Sequence, residues 1–582
     1  MSDILQITKK QPNMIEPKSL KENHEPREPI PIVSESNVHW FYNESVVIQN
    51  ILRDKNTSIE INGFGVVRFL DSPPRKHNIK TYRGYGIFGI IHLNSGCYII
   101  LITEREKVGY IRKHPIYKIA KTKVEKIGNS EFSSHTQRTQ ERAYLEHLKY
   151  CLNMKSYYFS YSYDLTSSLQ RQSKIRFRYN SWEDANSDFF FNYYLFEPLL
   201  KNNDEFPKIK DFILPVINGY FRNKSVVINR TNVMVSLITR RSRNNQGADT
   251  DGNVANFAET EQVLEFSIYS PISNEKSQSD LNPTWVTLSL LQIRGSAPFK
   301  WAQVICGKYK PRLIVDSNGN NERFSKHLNN ITKSYNEVLI INLVDKNKYE
   351  GPIGKEFQNL INMHGSEKIR YFHYDFHSEA KKSKHEKIDN PLDDLLEDTL
   401  PKFGCFRIES GNSPSLSLQT GIIRTNCVDC LDRTNVLQAK VAFIWIEKEL
   451  KKHGIMFPLE SINDFPNFYF ILRNIWADNA DYLSLAYSGT PALKTDITRT
   501  GSRTLRGMLS DGFNSLSRYF IGCYYDGFRQ DSIDLFLGKY KALPISPNNA
   551  SFVSRTKSLM CAYTMNNNSL VLKLLLLTEP YC

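Results

Sequence analysis

Two side chains suited to phosphate chemistry, Cys427 and Arg433, stand in the segment RTNCVDCLDRTN at residues 424–435. We call residues 427–433 the Cys427 loop. A loop of this length wraps once around a tetrahedral anion, so that backbone N–H groups and a helix N-terminus face it and the guanidinium binds two oxygens. The same field lowers the pKa of a cysteine thiol, so that a thiolate forms near neutral pH. The spacing therefore predicts a nucleophile that forms a cysteinyl-phosphate, which water later cleaves.

The residues around this loop offer the other groups that phosphate transfer needs. The hydroxyl of Thr434 is placed to stabilise the thiolate as a leaving group. Asp429 and Asp432 are the candidate acids for the departing alcohol, since a carboxylate near a bound dianion has a raised pKa. We favour Asp429, while Asp432 is alternatively expected to orient the loop. The positions expected to line the phosphate are Asn426, Val428, Cys430, Leu431 and Thr434.

The pair Cys427-x-x-Cys430 leaves two other interpretations open. It is also the spacing of a redox pair and of half a zinc site. A zinc site needs a second pair of ligands, and only the isolated Cys405 is near in the sequence. A redox pair does not need an arginine at position 433. The elements around the loop favour phosphate chemistry, because a predicted strand (415–423) precedes the loop and a predicted helix (436–450) follows the loop.

The flanking elements predict a mixed architecture of two lobes. From residue 189 onward, predicted strands alternate with predicted helices, which is typical of an α/β layer structure. The predicted strands are 226–238, 284–293, 337–344 and 368–376, and the predicted helices are 322–335, 355–364 and 436–451. Before residue 190 we predict a hairpin over 89–103, a further strand over 108–119, a helix over 137–152 and a strand over 157–164.

The predicted fold class is an α+β N-terminal subdomain packed on an α/β catalytic domain that carries a cysteine-phosphatase loop. The predicted divisions are a flexible tail (1–36), the N-terminal subdomain (37–190), the catalytic domain (191–540) and a C-terminal extension (541–582). A lysine-rich stretch, 381–387, is interpreted as a solvated surface, with a membrane-facing patch as the alternative.

Composition excludes several classes of protein. The chain has 582 residues, of which 40% are hydrophobic and 12% aromatic, so wholesale disorder is excluded and several domains are expected. Its 75 Lys and Arg against 61 Asp and Glu give a net charge of +14, which favours an anionic partner. No RNA-binding motif is present, so nucleic acid is not expected as that partner. Nine scattered cysteines are typical of a cytosolic protein, and no run of 18 apolar residues occurs.

Several segments in their order resemble the Sac-domain phosphoinositide phosphatases. The signature RTNCVDCLDRTN is the most specific of them, and the resemblance extends over about residues 50–540. The other matching segments are YGIFGIIHLNSGCYIILIT, YYFSYSYDLTSSLQR, DGNVANFAETEQ, LQIRGSAPFKWAQ, YFHYDFH, WADN, ALKTDITRTGSRT and DGFRQDSIDLFLG. Many of them are similar to the branch that acts on monophosphorylated phosphatidylinositols at the endoplasmic reticulum and Golgi.

The resemblance implies a phosphatase that needs no metal and no cofactor. It implies phosphatidylinositol 4-phosphate as the preferred substrate, with the 3-phosphate and the 3,5-bisphosphate as secondary ones. Cys427 would be the nucleophile, Arg433 the phosphate clamp and Asp429 the acid. Further residues of the matching segments are expected to contact or brace the substrate site, with structural ion pairs as the alternative interpretation: Arg294, Asp375, His377, Lys494 and Arg499.

Two departures from the family shape the expected behaviour. Between Arg243 and Gly252 this chain lacks the longer, arginine-rich stretch usual in the family, which favours a weakly active or inactive phosphoinositide-binding adaptor as the alternative function. The two C-terminal membrane helices of the similar branch are also missing. Residence at the cytosolic face of endoplasmic reticulum or Golgi membranes is then expected to be peripheral, through surface charge or a membrane-tethering protein partner. A protein phosphatase is a further rival, but nothing in the sequence indicates a peptide groove.

Overall fold

The computed structural model describes most of the chain between residues 37 and 540. The described residues are 37–41, 45–52, 55–70, 80–128, 134–174, 182–200, 212–242, 248–268, 283–304, 312–347, 349–376, 378, 391–410, 415–493, 495–500 and 505–540. The predicted tail (1–36), the predicted extension (541–582) and the lysine-rich stretch (381–387) lie outside them.

Two sheets dominate the fold, and a two-stranded ribbon accompanies them. The first is antiparallel, in the order β4-β3-β2-β1-β5. Its strands are β1 Asn37–Phe41, β2 Ser45–Leu52, β3 Lys55–Asn62, β4 Val67–Leu70 and β5 Lys80–Gly84. The ribbon pairs β14 Trp301–Val304 with β15 Arg312–Val315.

The second sheet has 13 strands and runs through both lobes, in the order β17-β16-β20-β13-β12-β11-β10-β9-β8-β7-β6, with β18 and β19 as a branch on β13. Its N-terminal strands are β6 Ile87–Leu93, β7 Gly96–Ile111, β8 His114–Ile127 and β9 Tyr157–Phe159. The central strands are β10 Ile217–Ile228, β11 Thr231–Arg241, β12 Ala258–Ile268 and β13 Thr284–Arg294. The remaining strands are β16 Glu337–Asn342, β17 Ile369–His373, β18 Phe406–Ser410, β19 Ser415–Ser417 and β20 Gly421–Asn426.

Eleven α-helices are present in the described residues and cover the sheets. The first six are α1 His135–Leu152, α2 Leu169–Lys174, α3 Glu197–Leu200, α4 Asn320–Tyr335, α5 Gly351–His364 and α6 Pro391–Phe403. The last five are α7 Asp432–Lys452, α8 Pro466–Ser488, α9 Thr495–Thr500, α10 Leu505–Tyr524 and α11 Asp526–Phe536. None of the described helices combines the length and the apolar character that crossing a bilayer requires.

Hydrophobic clusters on both sides of the large sheet fix the lobes. One cluster joins α6, α7 and α8 to the sheet, and includes Leu396, Trp445 and Leu472. Another fills the N-terminal lobe between β6–β9 and α1, and it includes Ile533 and Phe536 of α11. The last helix of the described chain therefore completes the core of the first lobe.

The mixed α/β fold class is confirmed, while several element boundaries differ from those predicted. The predicted hairpin over 89–103 and helix over 137–152 are present as β6–β7 and α1. The single strand predicted over 226–238 is wrong, because the chain reverses at Asn229 and Arg230, both with positive φ, and forms the hairpin β10–β11. The strand predicted over 108–119 likewise contains a reversal, at Arg112 and Lys113.

Candidate active site

The Cys427 loop lies where a buried parallel strand meets the N-terminus of a helix. β20 lies between β13 and β16 and runs parallel to both, and each of its residues from Gly421 to Asn426 is buried. A strand enclosed on both faces is usually apolar, and here only Ile422 and Ile423 are, before Arg424, Thr425 and Asn426 end the strand. The loop follows at once, and α7 begins at Asp432. Functional groups of α/β sheets collect at this carboxyl edge.

Cys427 is enclosed by the loop and receives hydrogen bonds from two sides. The backbone N–H of Cys430 donates to its Sγ at 3.1 Å, and the hydroxyl of Thr434 donates at 3.3 Å. Cys430 has a φ of 56°, a left-handed conformation that turns this N–H toward the sulfur. Cys427 and Cys430 are free thiols, and the Sγ of Cys430 donates to the carbonyl of Cys427 at 3.3 Å. Two donors therefore stand ready to stabilise a thiolate.

The protonation of Cys427 differs from the sequence-based expectation. Burial raises the pKa of this thiol well above its usual value, and the neighbouring Cys430 and Asp429 raise it further, while Arg433 lowers it. The Sγ also lies 3.1 Å from Oδ1 of Asp429, to which a neutral thiol donates. The predicted lowering of the pKa is therefore absent in this arrangement, because burial, Cys430 and the Asp429 carboxylate together outweigh the charge of Arg433.

Arg433 is held by a carboxylate that the sequence analysis did not identify. Its guanidinium binds Glu350 with two bonds of 2.8 Å, and it donates to the Leu343 carbonyl at 3.1 Å. Asp345 lies 3.7 Å away. A bidentate pair of this kind is among the stronger ion pairs in proteins. Glu350 thus occupies the hydrogen-bonding edge with which Arg433 would bind a phosphate.

The two aspartates of the loop have different surroundings. Asp429 faces inward, since its Oδ1 contacts Cys427 and accepts the Leu431 N–H at 3.3 Å. Asp432 faces outward, where it accepts the Leu493 N–H at 2.9 Å and pairs with Arg518 at 3.3 Å. Burial and then Asp429 raise the pKa of Asp432, which Arg518 counteracts. Asp429 is therefore within reach of the sulfur, while Asp432 ties the loop to the segment after α8.

Two fully buried arginines flank the loop without a carboxylate partner in the described chain. Arg294, at the end of β13, donates to Gln438 and lies 3.5 Å from the Cys430 carbonyl. Arg424, on β20, donates to Asn426 at 3.2 Å and to the Ser296 carbonyl at 2.7 Å. Burial lowers the pKa of each guanidinium to about 10, so both remain charged at neutral pH. Their two positive charges are directed at the loop.

His327 connects Arg424 to the neighbouring loop. It is buried, and its pKa is lowered to about 3 by burial and by the charge of Arg424, so the ring is neutral. Nδ1 lies 2.8 Å from the Gly252 carbonyl, and Nε2 accepts from Nε of Arg424 at 3.1 Å. These partners assign the ring proton to Nδ1. A cavity of about 550 Å³ opens beside His327, Phe257 and Tyr335, and none of the predicted catalytic residues is among its lining residues in the described chain.

The remaining predicted site residues fall into three groups. Asn426 is buried and donates to Asn342 at 2.7 Å, while Val428 and Leu431 are buried in apolar clusters. Arg499 pairs with Asp478 at 2.7 Å and Asp481 at 2.9 Å, which is the structural alternative considered for it. Asp375 follows β17 and accepts the Lys346 N–H at 3.1 Å. His377 and Lys494 lie outside the described residues, as do residues 244–247 of the shortened segment 244–251.

Sequence reasoning missed three charged groups: Glu350 and Arg518, which contact residues of the loop, and Arg424, which contacts Asn426 directly before it. Glu350 follows β16, which lies next to β20 in the sheet, but the sequence does not specify that strand order. Arg424 stood within the signature segment but was not assigned a role. Arg518 lies far along the chain, and no local pattern links it to Asp432.

The fold and the loop together define a mixed α/β protein with a thiol held at a helix N-terminus beside buried cations. A model of the SacI homology domain matches residues 85–381. Over 484 residues, 80% of this chain and 73% of the relative, the chain is 36% identical to phosphatidylinositol-3-phosphatase SAC1 of Saccharomyces cerevisiae. It is 33% identical over 517 residues to phosphoinositide phosphatase SAC7 of Arabidopsis thaliana, covering 86% and 83% of the two chains. A third relative, phosphatidylinositol-3-phosphatase SAC1 of Drosophila melanogaster, is 37% identical over 473 residues, 79% and 75% of the chains.

The chain therefore belongs to the SacI homology domain family. The match to the family model ends at residue 381, before the Cys427 loop, so the role of the loop rests on its own geometry.

Proposed function

We propose that this protein is a phosphoinositide phosphatase that uses Cys427 as its nucleophile. The proposal is supported by family membership, since the named relatives are phosphoinositide phosphatases. The observation that carries the mechanism is the pair of donors on the Cys427 sulfur, Cys430 N–H and Thr434 Oγ1, at the N-terminus of α7. Donors at this point stabilise negative charge on sulfur and on a phosphate above it.

The reaction follows two displacements. The Cys427 thiol passes its proton to Asp429, the resulting thiolate attacks phosphorus, a P–S bond forms and the P–O bond to the inositol ring breaks, and the ring oxygen takes the proton from Asp429. Water then attacks phosphorus and gives a proton to the Asp429 carboxylate, the P–S bond breaks and inorganic phosphate leaves, while Thr434 stabilises the departing thiolate. Arg433 binds the phosphate after its guanidinium exchanges Glu350 for phosphate oxygens.

Arg294 and Arg424 supply the charge that lets a dianion enter this loop. A buried guanidinium without a carboxylate partner is unfavourable for folding by itself, because burial removes its hydration. The same missing partner leaves its field available to a bound anion. We assign both as positioning residues, which act on the loop through Cys430 and Asn426.

The substrate class is a phosphatidylinositol monophosphate. The resemblance predicts a preference for the 4-phosphate, whereas the names of two of the relatives above specify the 3-phosphate. A panel of short-chain 3-, 4- and 5-monophosphates and bisphosphates, assayed for released phosphate with and without EDTA, separates these positions. Activity that depends on added magnesium would count against the thiolate route.

The test of the nucleophile is Cys427→Ser, compared with Cys405→Ser as a matched control. Cys405 is also a buried free thiol, but it lies in the hydrophobic cluster beneath α6 and α7. We expect phosphate release to fall at least about a thousandfold in Cys427→Ser, since an alcohol cannot replace the thiolate, and to persist in Cys405→Ser. Both variants should retain a cooperative thermal transition. Turnover by Cys427→Ser above a contaminant control would remove the mechanism.

A second candidate is the phosphoinositide-binding adaptor. It is favoured by the pairing of Arg433 with Glu350 and by the raised pKa of Cys427, which together describe a loop not yet arranged for attack. An adaptor would bind the headgroup without releasing phosphate, so the same panel, read by binding and by turnover, distinguishes the two.

A further inference from the structure

Helix α10 has an apolar face that is turned toward solvent. Its members are Met508, Leu509, Phe513, Leu516 and Phe520. Residues 509, 513, 516 and 520 recur at three- and four-residue spacing and therefore lie along one face of the helix. Leu509 is 78% exposed and Leu516 is 51% exposed. The other exposed residues in the described part of α10 are serine and glycine.

The charged side of the same helix is turned inward. Arg518 follows Leu509 by nine residues, which at 100° per residue places it on the opposite side of the helix. Its guanidinium binds Asp432 at 3.3 Å, Ser484 at 2.9 Å and Thr490 at 3.2 Å. A surface helix normally has the reverse arrangement, with its apolar side against the core. The polar anchor therefore fixes α10 with its apolar face outward, directly behind the first residue of α7.

The chemistry of this face fits the interface of a lipid bilayer. A helix that lies in a membrane interface buries its apolar side at the boundary of headgroups and acyl chains, and nearby cations add attraction to anionic lipid. The sequence before α10 contains the cations Lys494 and Arg503, and the first turn of α10 contains Arg506, against the acidic Asp496. The whole chain carries +14.

We propose that the apolar face of α10 inserts into the interface of a bilayer that contains anionic lipid. The thickness of one helix, about 10–12 Å, then separates the lipid surface from Asp432 and the start of α7. Docking would hold the Cys427 loop at a fixed depth behind the surface from which an inositol headgroup projects. The purpose of this docking rests on the proposed function, whereas the binding itself does not.

The experiment measures binding of the full chain to vesicles that contain no phosphoinositide. Wild type and the double variant Leu509→Ser/Leu516→Ser are sedimented with vesicles of phosphatidylcholine and phosphatidylserine at about 70:30, a composition that supplies anionic charge. We expect the vesicle partition coefficient to fall at least about tenfold in the double variant, because two inserted side chains lose their apolar burial. Both residues are exposed, so thermal unfolding should be unchanged.

A matched control removes two apolar side chains elsewhere that are more exposed than the α10 pair. Leu459 is 99% exposed and Phe470 is 60% exposed, both outside α10. The variant Leu459→Ser/Phe470→Ser should bind vesicles within about twofold of wild type, because it removes exposed apolar side chains but leaves the apolar face of α10 intact. Equal binding by wild type and the α10 variant, or an equal loss in the control, overturns the proposal.

Two other occupants of the face are outcomes of the same test. If the chain associates with a second copy through α10, light scattering will show a dimer that the α10 variant abolishes, while vesicle binding stays unchanged. If the apolar run at residues 570–577 covers the face, wild-type binding will be weak and will rise in Leu574→Ser/Leu576→Ser. Either result overturns the proposal.

Activity measurements separate this inference from the proposed function. The α10 variant should hydrolyse a water-soluble short-chain phosphoinositide at the wild-type rate and lose activity only on vesicle-embedded substrate. Loss of activity on both substrates would contradict the inference, because α10 would then act on the loop directly. If wild type hydrolyses neither substrate but still binds vesicles through α10, the proposed function fails and the inference stands.

Discussion

A buried charge without a carboxylate partner in the described chain distinguishes Arg294 and Arg424 from Arg433, Arg499 and Arg518. Arg433 and Arg499 each bind carboxylates, and Arg518 binds Asp432. Arg294 and Arg424 instead donate to amide and carbonyl oxygens, which neutralise no charge. Desolvation of a cation in this way costs free energy of folding. A buried arginine without a carboxylate partner is expected where a bound anion completes the site.

Replacing Arg294 should separate activity from stability. We expect Arg294→Met to lower kcat/KM about 10- to 100-fold, since one of the cations facing the phosphate is lost. The free energy of unfolding should change by less than about 2 kcal/mol, because the lost hydrogen bonds are offset by removal of a buried charge. Steady-state kinetics and denaturant unfolding of the same preparation check both values.

The control for that prediction is Arg294→Lys, which keeps the charge but loses the fork of donors to Gln438 and Asn435. Partial recovery of kcat/KM in Arg294→Lys is expected. If unfolding of Arg294→Met under the assay conditions accounts for its whole loss of kcat/KM, Arg294 supports the fold alone.

At the scale of elements, the strand–loop–helix order around Cys427 was predictable, and the boundaries were not. The strand predicted over 415–423 and the helix predicted from residue 436 placed the loop correctly between β20 and α7, although 415–423 covers β19 and only the first half of β20. α7 begins at Asp432, four residues before the predicted start at residue 436, because its polar first turn resembles a loop. The turn at Asn229-Arg230 was missed, since an Asn-Arg pair between β-branched residues lacks the glycine that marks many hairpins.

Contacts between elements distant in sequence were beyond any local pattern. Glu350 precedes α5 and reaches Arg433 on α7, and His327 on α4 reaches Arg424 on β20. These pairs depend on the strand order β17-β16-β20-β13, which sequence periodicity does not specify. The predicted roles of Cys427, Arg433 and Asp429 remain predictions until the assays described above.

The hydrogen bond between Arg424 on β20 and the neutral His327 on α4 predicts that the fold loses stability at acid pH. The pKa of His327 is lowered from 6.5 to about 3 in the folded protein, so the unfolded chain binds the proton more strongly. The neutral His327 ring therefore contributes fully to the free energy of unfolding above about pH 6.5, and this contribution decreases as the pH falls toward 3. Between pH 7 and pH 5 we expect this residue alone to remove about 2 kcal/mol from the free energy of unfolding.

The comparison is His327→Gln, whose amide does not titrate and retains a donor and an acceptor. Denaturant unfolding at several pH values should give a shallower acid limb for His327→Gln than for wild type. Parallel limbs for the two proteins would show that His327 does not control this dependence.

At the scale of the whole molecule, one sheet and one helix bind the two lobes together. β9 pairs with β10 at Tyr158–Ile217 and continues the sheet from the N-terminal lobe into the α/β lobe. Phe536 of α11 packs against Phe88, Tyr157 and Phe191, with ring centroids 5.3–6.2 Å apart. His147 of α1 also contacts Ser532 of α11 at 2.8 Å. Residues near the end of the described chain thus form part of the hydrophobic core around β6–β9 and α1.

We expect Phe536→Ala to destabilise the N-terminal lobe by about 3–5 kcal/mol, because it leaves a cavity among fully buried rings. Hydrogen exchange should accelerate in β6, β9 and α1. The matched surface variant Phe470→Ala should leave these strands protected. Faster exchange confined to α11 would contradict this account.

The position of α11 also bears on how the protein is made. A nascent chain that has only its first lobe outside the ribosome lacks the aromatic side chain that fills that lobe's centre. At about 5–20 residues per second, the remaining translation takes tens of seconds. During that interval Phe88, Tyr157 and Phe191 form an incomplete core. The first lobe of this protein is consequently a candidate for chaperone capture during synthesis.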